Sequence, residues 1–272
     1  MNLENYFITQ FSNKHIGDDG ALIDGYVYSK DAFFENVHFK RSWMSYYEIA
    51  RKSMLVNLSD AIAMNADPKF ILLSIAMPKD MSKENMRDLA QGFKDTAEEF
   101  GAEIIGGDTI GNTKLDITIT VISKTSKPLL RSNIRSGYLF AYTGELGKSV
   151  KELTKLFRGG TIHKKSKFTD IQLRRSFVKN AQRELKAGMD ISDGLLSDID
   201  KILGFKSLGV KFLRKTSKKI GCSGEEYEML VAFDPRDKKA VLRRAKQSRT
   251  KLTIFAKAVR GSYVNRCKAH HF

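Results

Sequence analysis

Apolar and polar residues alternate or recur at helical spacing through the first half of the chain, and they predict strands and helices that follow one another. Three segments rich in β-branched and aromatic residues predict strands: 26–34, 70–76 and 115–122. The last of these alternates strictly, as a strand with one buried face does. Two segments with apolar residues at helical spacing predict helices: 45–64 and 83–100.

The second half of the chain mixes the two patterns in the same way. A strand is predicted at 138–143, helices at 149–157, 169–186 and 194–204, and a strand, helix and strand over 226–259. This mixture predicts an α/β (α+β) protein. Pro128 lies near the midpoint, where the charge also changes, so we expect two domains, residues 1–127 and 128–272.

Charge is distributed unevenly between these halves. The chain has 47 Lys and Arg against 31 Asp and Glu, a net charge of +16. The whole surplus lies after residue 136, where 31 basic residues face 13 acidic ones, while the first 136 residues are slightly acidic. A basic surface of this kind binds nucleic acid, attracts small phosphorylated ligands, or is merely a solvated lysine-rich face. The charge alone does not decide among these three readings.

The cysteine count and the hydropathy pattern exclude several classes of protein. Cys222 and Cys267 are too few for a disulfide framework or a cysteine-rich metal site, so we expect a reducing cytoplasm and no redox role for them. No apolar run approaches the ~18 residues of a membrane span, and the first residues lack the design of a signal peptide. We therefore expect a cytoplasmic protein without a membrane partner.

Short acidic motifs at the edges of the predicted elements carry the candidate chemistry. There are four: Gly17-Asp18-Asp19, Asn57-Leu58-Ser59-Asp60, Gly106-Gly107-Asp108-Thr109 and Asp190-Ile191-Ser192-Asp193-Gly194. Each alone is typical of a turn or a helix cap. Asp60 differs, because it lies inside a predicted helix, three residues after Asn57 and on the same side. A carboxylate there requires a buried partner or a metal ion.

Several aspartates beside a basic half indicate metal-dependent phosphate chemistry. Mg²⁺ prefers carboxylate oxygen and is shared with the phosphates of a substrate. Carboxylates repel a nucleoside triphosphate unless a cation lies between them. The P-loop, protein-kinase and dinucleotide-binding motifs do not occur, and Gly144-Glu145-Leu146-Gly147-Lys148-Ser149 is too short for a Walker loop.

Taken in order, the motifs resemble those of the bacterial thiamine-monophosphate kinase family. The resemblance includes Ser29-Lys30-Asp31, Val37-His38-Phe39, Val56 to Met64 with Asp67-Pro68, Arg131-Ser132, Tyr142-Thr143-Gly144, Met189 to Leu195 and Ser223 to Glu228, besides the four acidic motifs. It spans nearly the whole chain. The family belongs to the aminoimidazole ribonucleotide synthetase superfamily. That membership implies a two-domain fold in which the N-terminal mixed sheet contributes to the barrel of a homodimer.

The resemblance also implies a reaction. ATP would transfer its γ-phosphoryl group directly to the phosphate of thiamine monophosphate, giving thiamine diphosphate and ADP, the last step of thiamine diphosphate biosynthesis. ATP is the co-substrate and several Mg²⁺ ions are the cofactors. The N-terminal domain would bind metal and ATP and form the dimer interface. Loose phosphoryl transfer needs positioned reactants and neutralised oxygen charge more than it needs a strong base.

Site residues follow from the resemblance, position by position. The implied Mg²⁺ ligands are Asp19, Asp31, Asp60, Asp108, Asp190 and Asp193, with Asp60 bridging several ions. The implied catalytic residues are Asp60, Asp193 and Arg131. The implied nucleotide-binding residues are Asp19, Gly107, Asp108, Arg131 and Ser192, and the implied residues at the thiamine phosphate are His38 and Glu225.

Two positions depart from the family pattern. Lys30 stands where the family usually has Thr, which removes a side-chain oxygen near the metals. Ala269 stands where a C-terminal aromatic would cover the thiamine ring, so Tyr263 is the alternative stacking residue. Another enzyme of the superfamily is the alternative function, although selenophosphate synthetase needs a reactive cysteine near the N-terminus. A basic nucleic-acid-binding protein is the alternative from a different class, and it leaves the acidic motifs unexplained.

Overall fold

Two five-stranded sheets form the framework of the chain. The computed structural model describes residues 3–11 and 13–268. In the first half the elements are α1 (Leu3–Thr9), β1 (Ala21–Ile23), β2 (Tyr26–Phe34), α2 (Tyr46–Ala63), β3 (Asp67–Pro78), α3 (Lys83–Phe100), β4 (Glu103–Asn112) and β5 (Asp116–Lys124). Their strands form one sheet in the order β1-β2-β5-β3-β4. All neighbours are antiparallel except β3 and β4, which α3 connects as a parallel pair.

The second half forms an antiparallel sheet with helices around it. Its elements are β6 (Leu139–Thr143), α4 (Lys148–Phe157), α5 (Arg175–Ala181), β7 (Leu185–Asp190), α6 (Leu195–Gly204), β8 (Leu208–Phe212), α7 (Lys218–Gly221), β9 (Met229–Phe233), α8 (Lys238–Gln247) and β10 (Leu252–Arg260). The strand order is β7-β9-β6-β10-β8. Every neighbouring pair in this sheet is antiparallel.

Helix α2 lies at the centre of the molecule. It contacts β2 and β5 on one side, α3 on another, and β7 of the second sheet. Its mean hydropathy is modest, yet most of its residues are buried because elements pack on nearly every side. Ser45 and Glu48 form a capping box at its N-terminus, which satisfies backbone N–H groups that the helix leaves unpaired. The helix is therefore fixed at its start and along its length.

A single hydrophobic cluster extends across both sheets. Phe33 and Ile119 of the first sheet share it with Phe177 and Phe233 of the second half. The two-sheet α/β architecture confirms the predicted fold class, and within the described residues neither sheet closes into a barrel. The division at residue 127 stays a prediction. No helix in the described ranges is long and apolar enough to cross a bilayer.

The secondary structure differs from the prediction in several places, and the short elements α1, β1, β8 and α7 were not predicted. Strand β4 was not predicted, because its glycines and polar residues lack a strand pattern. The predicted helix 169–186 is wrong over most of its length, since only α5 is helical and β7 begins at Leu185. The residues before α5 form a loop whose Phe168 and Ile171 are buried in the core. Tertiary packing of these two side chains overrides the helical spacing.

The two cysteines are paired, which corrects the expectation drawn from composition. Cys222 and Cys267 form a disulfide with their Cα atoms 5.6 Å apart. In the segment before Cys267, Tyr263 donates a hydrogen bond to the carbonyl of Leu196. With a sequence separation of 45 residues, closing the loop stabilises the fold by about 4 kcal/mol in a chain-entropy treatment. A count of cysteines does not reveal that two of them meet.

Candidate active site

Three predicted ligand residues converge at the junction of the two sheets. Asp19 lies in the turn just before β1, Asp60 lies near the end of α2, and Asp190 is the last residue of β7. One carboxylate oxygen from each lies within 4.8 Å of the other two. Asp31 on β2 lies close enough to raise the pKa of Asp60 by repulsion. Four of the six predicted ligands are thus brought together from distant parts of the chain.

Helix α2 positions these carboxylates through neighbouring side chains. The side-chain oxygen Oδ1 of Asn57 accepts a hydrogen bond of 2.8 Å from the backbone N–H of Asp31. The side-chain Nδ2 of Asn57 donates to the backbone carbonyl of Ser53. The Ser59 hydroxyl donates to Asp190 at 2.5 Å. The Asn-x-Ser-Asp motif therefore holds β2 and β7 against the helix while Asp60 faces the carboxylates. Sequence reasoning identified Asp60 here but missed Ser59.

Arg131 fixes the turn that carries Asp19. Its guanidinium pairs with the Asp19 carboxylate and donates to the carbonyl of Gly17 at 3.0 Å. Its backbone N–H donates to Asp18 at 2.7 Å. Both side chains of the Arg131–Asp19 pair are largely buried. The predicted catalytic Arg131 is thus inside the site, where it contacts the acidic turn.

Burial and mutual repulsion disfavour the charged forms of these aspartates. Burial raises the pKa of Asp19 and of Asp190 to about 7, and the pKa of Asp31 to about 6. The pKa of Asp60 lies well above its ordinary value, first through burial and then through the neighbouring Asp31 and Asp190. A cation among them would relieve the repulsion.

The donor set suits a hard divalent cation. Every converging group offers carboxylate oxygen, the donor that Mg²⁺ prefers. Within the described ranges, Oδ2 of Asp19 is buried and has no hydrogen-bond partner, although buried oxygen is normally paired. The residues that would hold the ion are Asp19, Asp60 and Asp190, with Asp31 beside them. Their roles as ligands remain predictions.

The loop between β7 and α6 brings the remaining predicted residues to the edge of this cluster. Asp193 is near enough to Asp31 to raise its pKa. The Asp193 carboxylate accepts a bond of 2.6 Å from Nζ of Lys201, and its backbone N–H donates to Asp198. The carbonyl of Ser192 accepts from the backbone N–H of Glu225 at 2.7 Å. Lys201 and Asp198 were not identified from the sequence.

Glu225 is held by a buried lysine that the sequence analysis also missed. Nζ of Lys52 on α2 lies 2.9 Å from the Glu225 carboxylate and 3.3 Å from the ring centre of Phe168. The Lys52 side chain is 1% exposed, and this burial lowers its pKa. The pair joins the first half of the chain to the second beside the acidic cluster. The sequence signal that could have identified Lys52 is a lysine among the apolar positions of a predicted helix, since a buried lysine needs a partner.

Tyr227 is another residue of the site that the sequence left unassigned. Burial raises the pKa of its phenol well above the ordinary value, and Glu225 and Asp31 raise it further. The group is therefore a neutral phenol close to the carboxylates. Its backbone N–H donates to the carbonyl of Ile191, which ties it to the end of β7.

Three predicted site residues lie outside the converging group. Gly107 and Asp108 are exposed on β4, and the Asp108 carboxylate accepts from the backbone N–H of Thr109 at 2.8 Å. His38 lies in the turn after β2, where its Nδ1 accepts from the N–H of Phe34 at 3.0 Å and its ring stacks on Phe33. Ala269 and the residues after it lie outside the described ranges.

Sequence comparisons show which proteins the chain is similar to. Residues 17–125 match the AIR synthase related protein, N-terminal domain. The thiamine-monophosphate kinase of Bacillus subtilis (strain 168) is 32% identical over 206 residues, which cover 69% of this chain and 63% of that protein. The thiamine-monophosphate kinase of Aquifex aeolicus (strain VF5) is 29% identical over 223 residues, covering 78% and 72%. The chain thus spans less than two thirds of the Bacillus protein's length.

Solved structures with the same fold extend over nearly the whole chain. A structure of AaThiL complexed with AMPPCP and TMP superimposes with a TM-score of 0.84 at 23% identity, covering 96% of this chain and 91% of that one. Escherichia coli HypE, a hydrogenase maturation protein, gives 0.73 at 14% identity, covering 96% and 91%.

Residues 17–125 are thus similar to the N-terminal domain of AIR synthase related proteins, and nearly the whole chain has the fold of these solved structures. The sequence is similar to those of thiamine-monophosphate kinases, which confirms the resemblance stated from its motifs.

The buried carboxylates give a pH-dependent stability that Asp60 should control. Because their pKa values are raised in the folded state, their contribution to stability is present below about pH 4 and is lost as the pH rises toward 7. Asp60→Asn removes one charge. We expect the metal-free variant to lose less stability over this range and to melt at or above the wild-type temperature at pH 8.

Thermal melts from pH 4 to 8 without divalent cation test this expectation, with Asp88→Asn, an exposed aspartate on α3, as the control. Asp60→Asn should also gain less stability from Mg²⁺ with ATP than the wild type does. If the variant instead melts lower at pH 8 with an unchanged pH dependence, Asp60 is a structural ion-pair partner and not part of a cation site.

Proposed function

We propose that the protein is a thiamine-monophosphate kinase, which transfers the γ-phosphoryl group of ATP to thiamine monophosphate. The observation that carries the proposal is the convergence of Asp19, Asp60 and Asp190, with Asp31, at the junction of the sheets. The names of the Bacillus and Aquifex relatives support it, and so does the neighbour solved with AMPPCP and TMP. The assignment extends to the whole chain an activity known from its relatives.

The chain's residues would act by positioning two anions. The aspartates would hold Mg²⁺, which neutralises the oxygen charge that develops during phosphoryl transfer. Asp60 lies at the centre of the carboxylates and Asp193 at their edge, so the reacting phosphates would lie between them. Arg131 holds the Asp19 turn in place. The acceptor phosphate is itself the nucleophile, so the site needs no strong base.

A cavity beside α6 can take the rings of the acceptor. Its volume is about 1040 Å³, and its lining includes Leu196, Phe212 and Tyr263. Small-molecule sites of this size are mostly apolar with a few polar groups. The Tyr263 hydroxyl donates to the carbonyl of Leu196, three residues after Asp193. The cavity therefore lies beside the first turn of α6, the helix that follows the Asp193 loop.

The proposal includes a homodimer that forms through β4. This strand is an edge of the first sheet, and Ile105 and Ile110 on it are 50% and 57% exposed. An exposed apolar edge strand pairs readily with another chain. Pairing with a second copy would also give Gly107 and Asp108, which lie outside the converging group, a place in a shared site.

A cytoplasmic location completes the proposal, and the similarity to thiamine-monophosphate kinases supports it, because the paired cysteines no longer favour a reducing compartment. A disulfide normally persists in oxidising compartments. In the cytoplasm, the Cys222–Cys267 pair would therefore be exposed to reduction by cellular thiols. Membranes and nucleic acid have no part in the proposed function.

The acceptor should be the phosphate ester and not the alcohol. Purified protein with Mg²⁺, ATP and thiamine monophosphate should release ADP and form thiamine diphosphate. Omission of the divalent cation should abolish turnover, and Asp60→Asn should lower it on the order of a thousandfold. Comparable ADP release with free thiamine, or release only with aminoimidazole precursors, would assign the site to a different reaction.

Tyr263 should contribute to acceptor binding through its ring. We expect Tyr263→Ala to raise the KM for thiamine monophosphate about fivefold with a small effect on the KM for ATP, because ring contacts contribute about 1 kcal/mol. Tyr263→Phe keeps the ring and should behave as the wild type. Equal changes in both KM values, or none, would remove Tyr263 from the acceptor site.

Light scattering tests the dimer. The wild type should have twice the chain mass of 30.8 kDa, whereas Ile110→Lys should be largely monomeric because it places a charge on the pairing edge. Leu242→Lys, an exposed apolar residue on α8, is the matched control and should remain dimeric. A wild-type monomer at micromolar concentration would contradict the shared interface.

A further inference from the structure

Lys201 forms an ion pair with a residue that the proposed function assigns to cation binding. Its Nζ lies 2.6 Å from the Asp193 carboxylate and 3.1 Å from that of Asp198. The lysine side chain is 39% exposed and that of Asp193 25%, while that of Asp198 is fully buried. One ammonium group thus bridges a buried carboxylate and a carboxylate at the edge of the acidic cluster.

The two carboxylates in this bridge have different relations to the site. Asp198 lies on the first turn of α6, and its Oδ2 accepts from the backbone N–H of Asp193 at 3.1 Å. Asp198 is buried, and its hydrogen bond and ion pair are with the loop and the lysine. Asp193 is partly exposed and lies beside Asp31. Asp198 therefore binds both the backbone of the loop at Asp193 and the ammonium group of Lys201. Lys201 in turn holds the Asp193 carboxylate toward α6.

A cation that binds Asp193 must either displace this ammonium group or lie next to it. Two positive charges a few ångströms apart repel each other, even where water screens them. The cluster deeper in the site has its own cation, Arg131, but that guanidinium pairs with Asp19. Two predicted ligands, Asp19 and Asp193, are thus each ion-paired with a basic side chain.

We infer that Lys201 is a positioning residue that occupies the cation position at Asp193 until the nucleotide brings a metal ion. The inference rests on the proposed cation site but not on the identity of the acceptor. Lys201 keeps Asp193 oriented when no ligand is bound, and it weakens the binding of a divalent cation alone. A triphosphate supplies additional negative charge, so the complex of nucleotide and cation competes with the lysine where the bare ion does not.

Direct titration of the full chain with Mn²⁺, followed by electron paramagnetic resonance of the unbound ion, tests the inference without any turnover. In the absence of nucleotide, Lys201→Met should bind Mn²⁺ about tenfold more tightly than the wild type, because one repelling charge is removed. Lys201→Gln keeps a hydrogen-bond donor without the charge and should show the same gain. Lys201→Arg should restore wild-type affinity.

Lys206→Met changes an exposed lysine just after α6 and is the matched control, which should leave Mn²⁺ affinity unaltered. With ATP present, the difference between wild type and Lys201→Met should shrink. A purely structural lysine would lower the melting temperature of both uncharged variants and leave their Mn²⁺ affinity unchanged or weaker, and that result would overturn the inference. Failure of thiamine monophosphate as acceptor would leave these binding results intact, so the two proposals fail separately.

Discussion

Repulsion among buried carboxylates is the constraint on which the rest of the structure depends. Asp19, Asp31, Asp60 and Asp190 lie together with little water to screen them, and their pKa values are raised as a result. Such a group separates unless the backbone around each carboxylate is fixed. Here hydrogen bonds from Asn57 and Ser59, and the Arg131 contacts, supply that restraint. The repulsion that opposes folding also creates the affinity for a cation.

Helix α2 contributes both to the packing of the fold and to the site. It packs between the first sheet, α3 and β7, so its polar residues cannot turn toward solvent. Three of its buried polar side chains have a partner in another element: Asn57 with β2, Ser59 with β7, and Lys52 with Glu225. Buried polar groups of this kind must be paired, because leaving one unpaired costs free energy. The contacts that position the site also join the two sheets.

Elements with a clear period were predictable, whereas contacts between distant residues were not. The predicted strand 26–34 and the helix 83–100 agree with β2 and α3, because alternation and helical spacing record which side faces the core. The sequence of strand β4 has no such pattern. Gly107 is required there by close packing, because a Cβ atom at this position would lie 1.6 Å from the carbonyl oxygen of Leu73. The convergence of the aspartates came from the resemblance, since residues 60 and 190 carry no local sign of proximity. The lysine pairs were hidden for the same reason.

The site also has a direction, from a buried end to an open one. Asp190 is 3% exposed and is hydrogen-bonded to Ser59, whereas the Asp193 side chain is 25% exposed and is paired with a lysine. At the buried end Asp19, Asp60 and Asp190 would hold a cation, whereas Asp193 lies where solvent reaches its carboxylate. Each end has a basic partner, Arg131 at Asp19 and Lys201 at Asp193, and Lys201 is the more exposed of the two. Under the proposed function, an anionic nucleotide would approach that outer end, because the lysine offsets the charge it would otherwise meet.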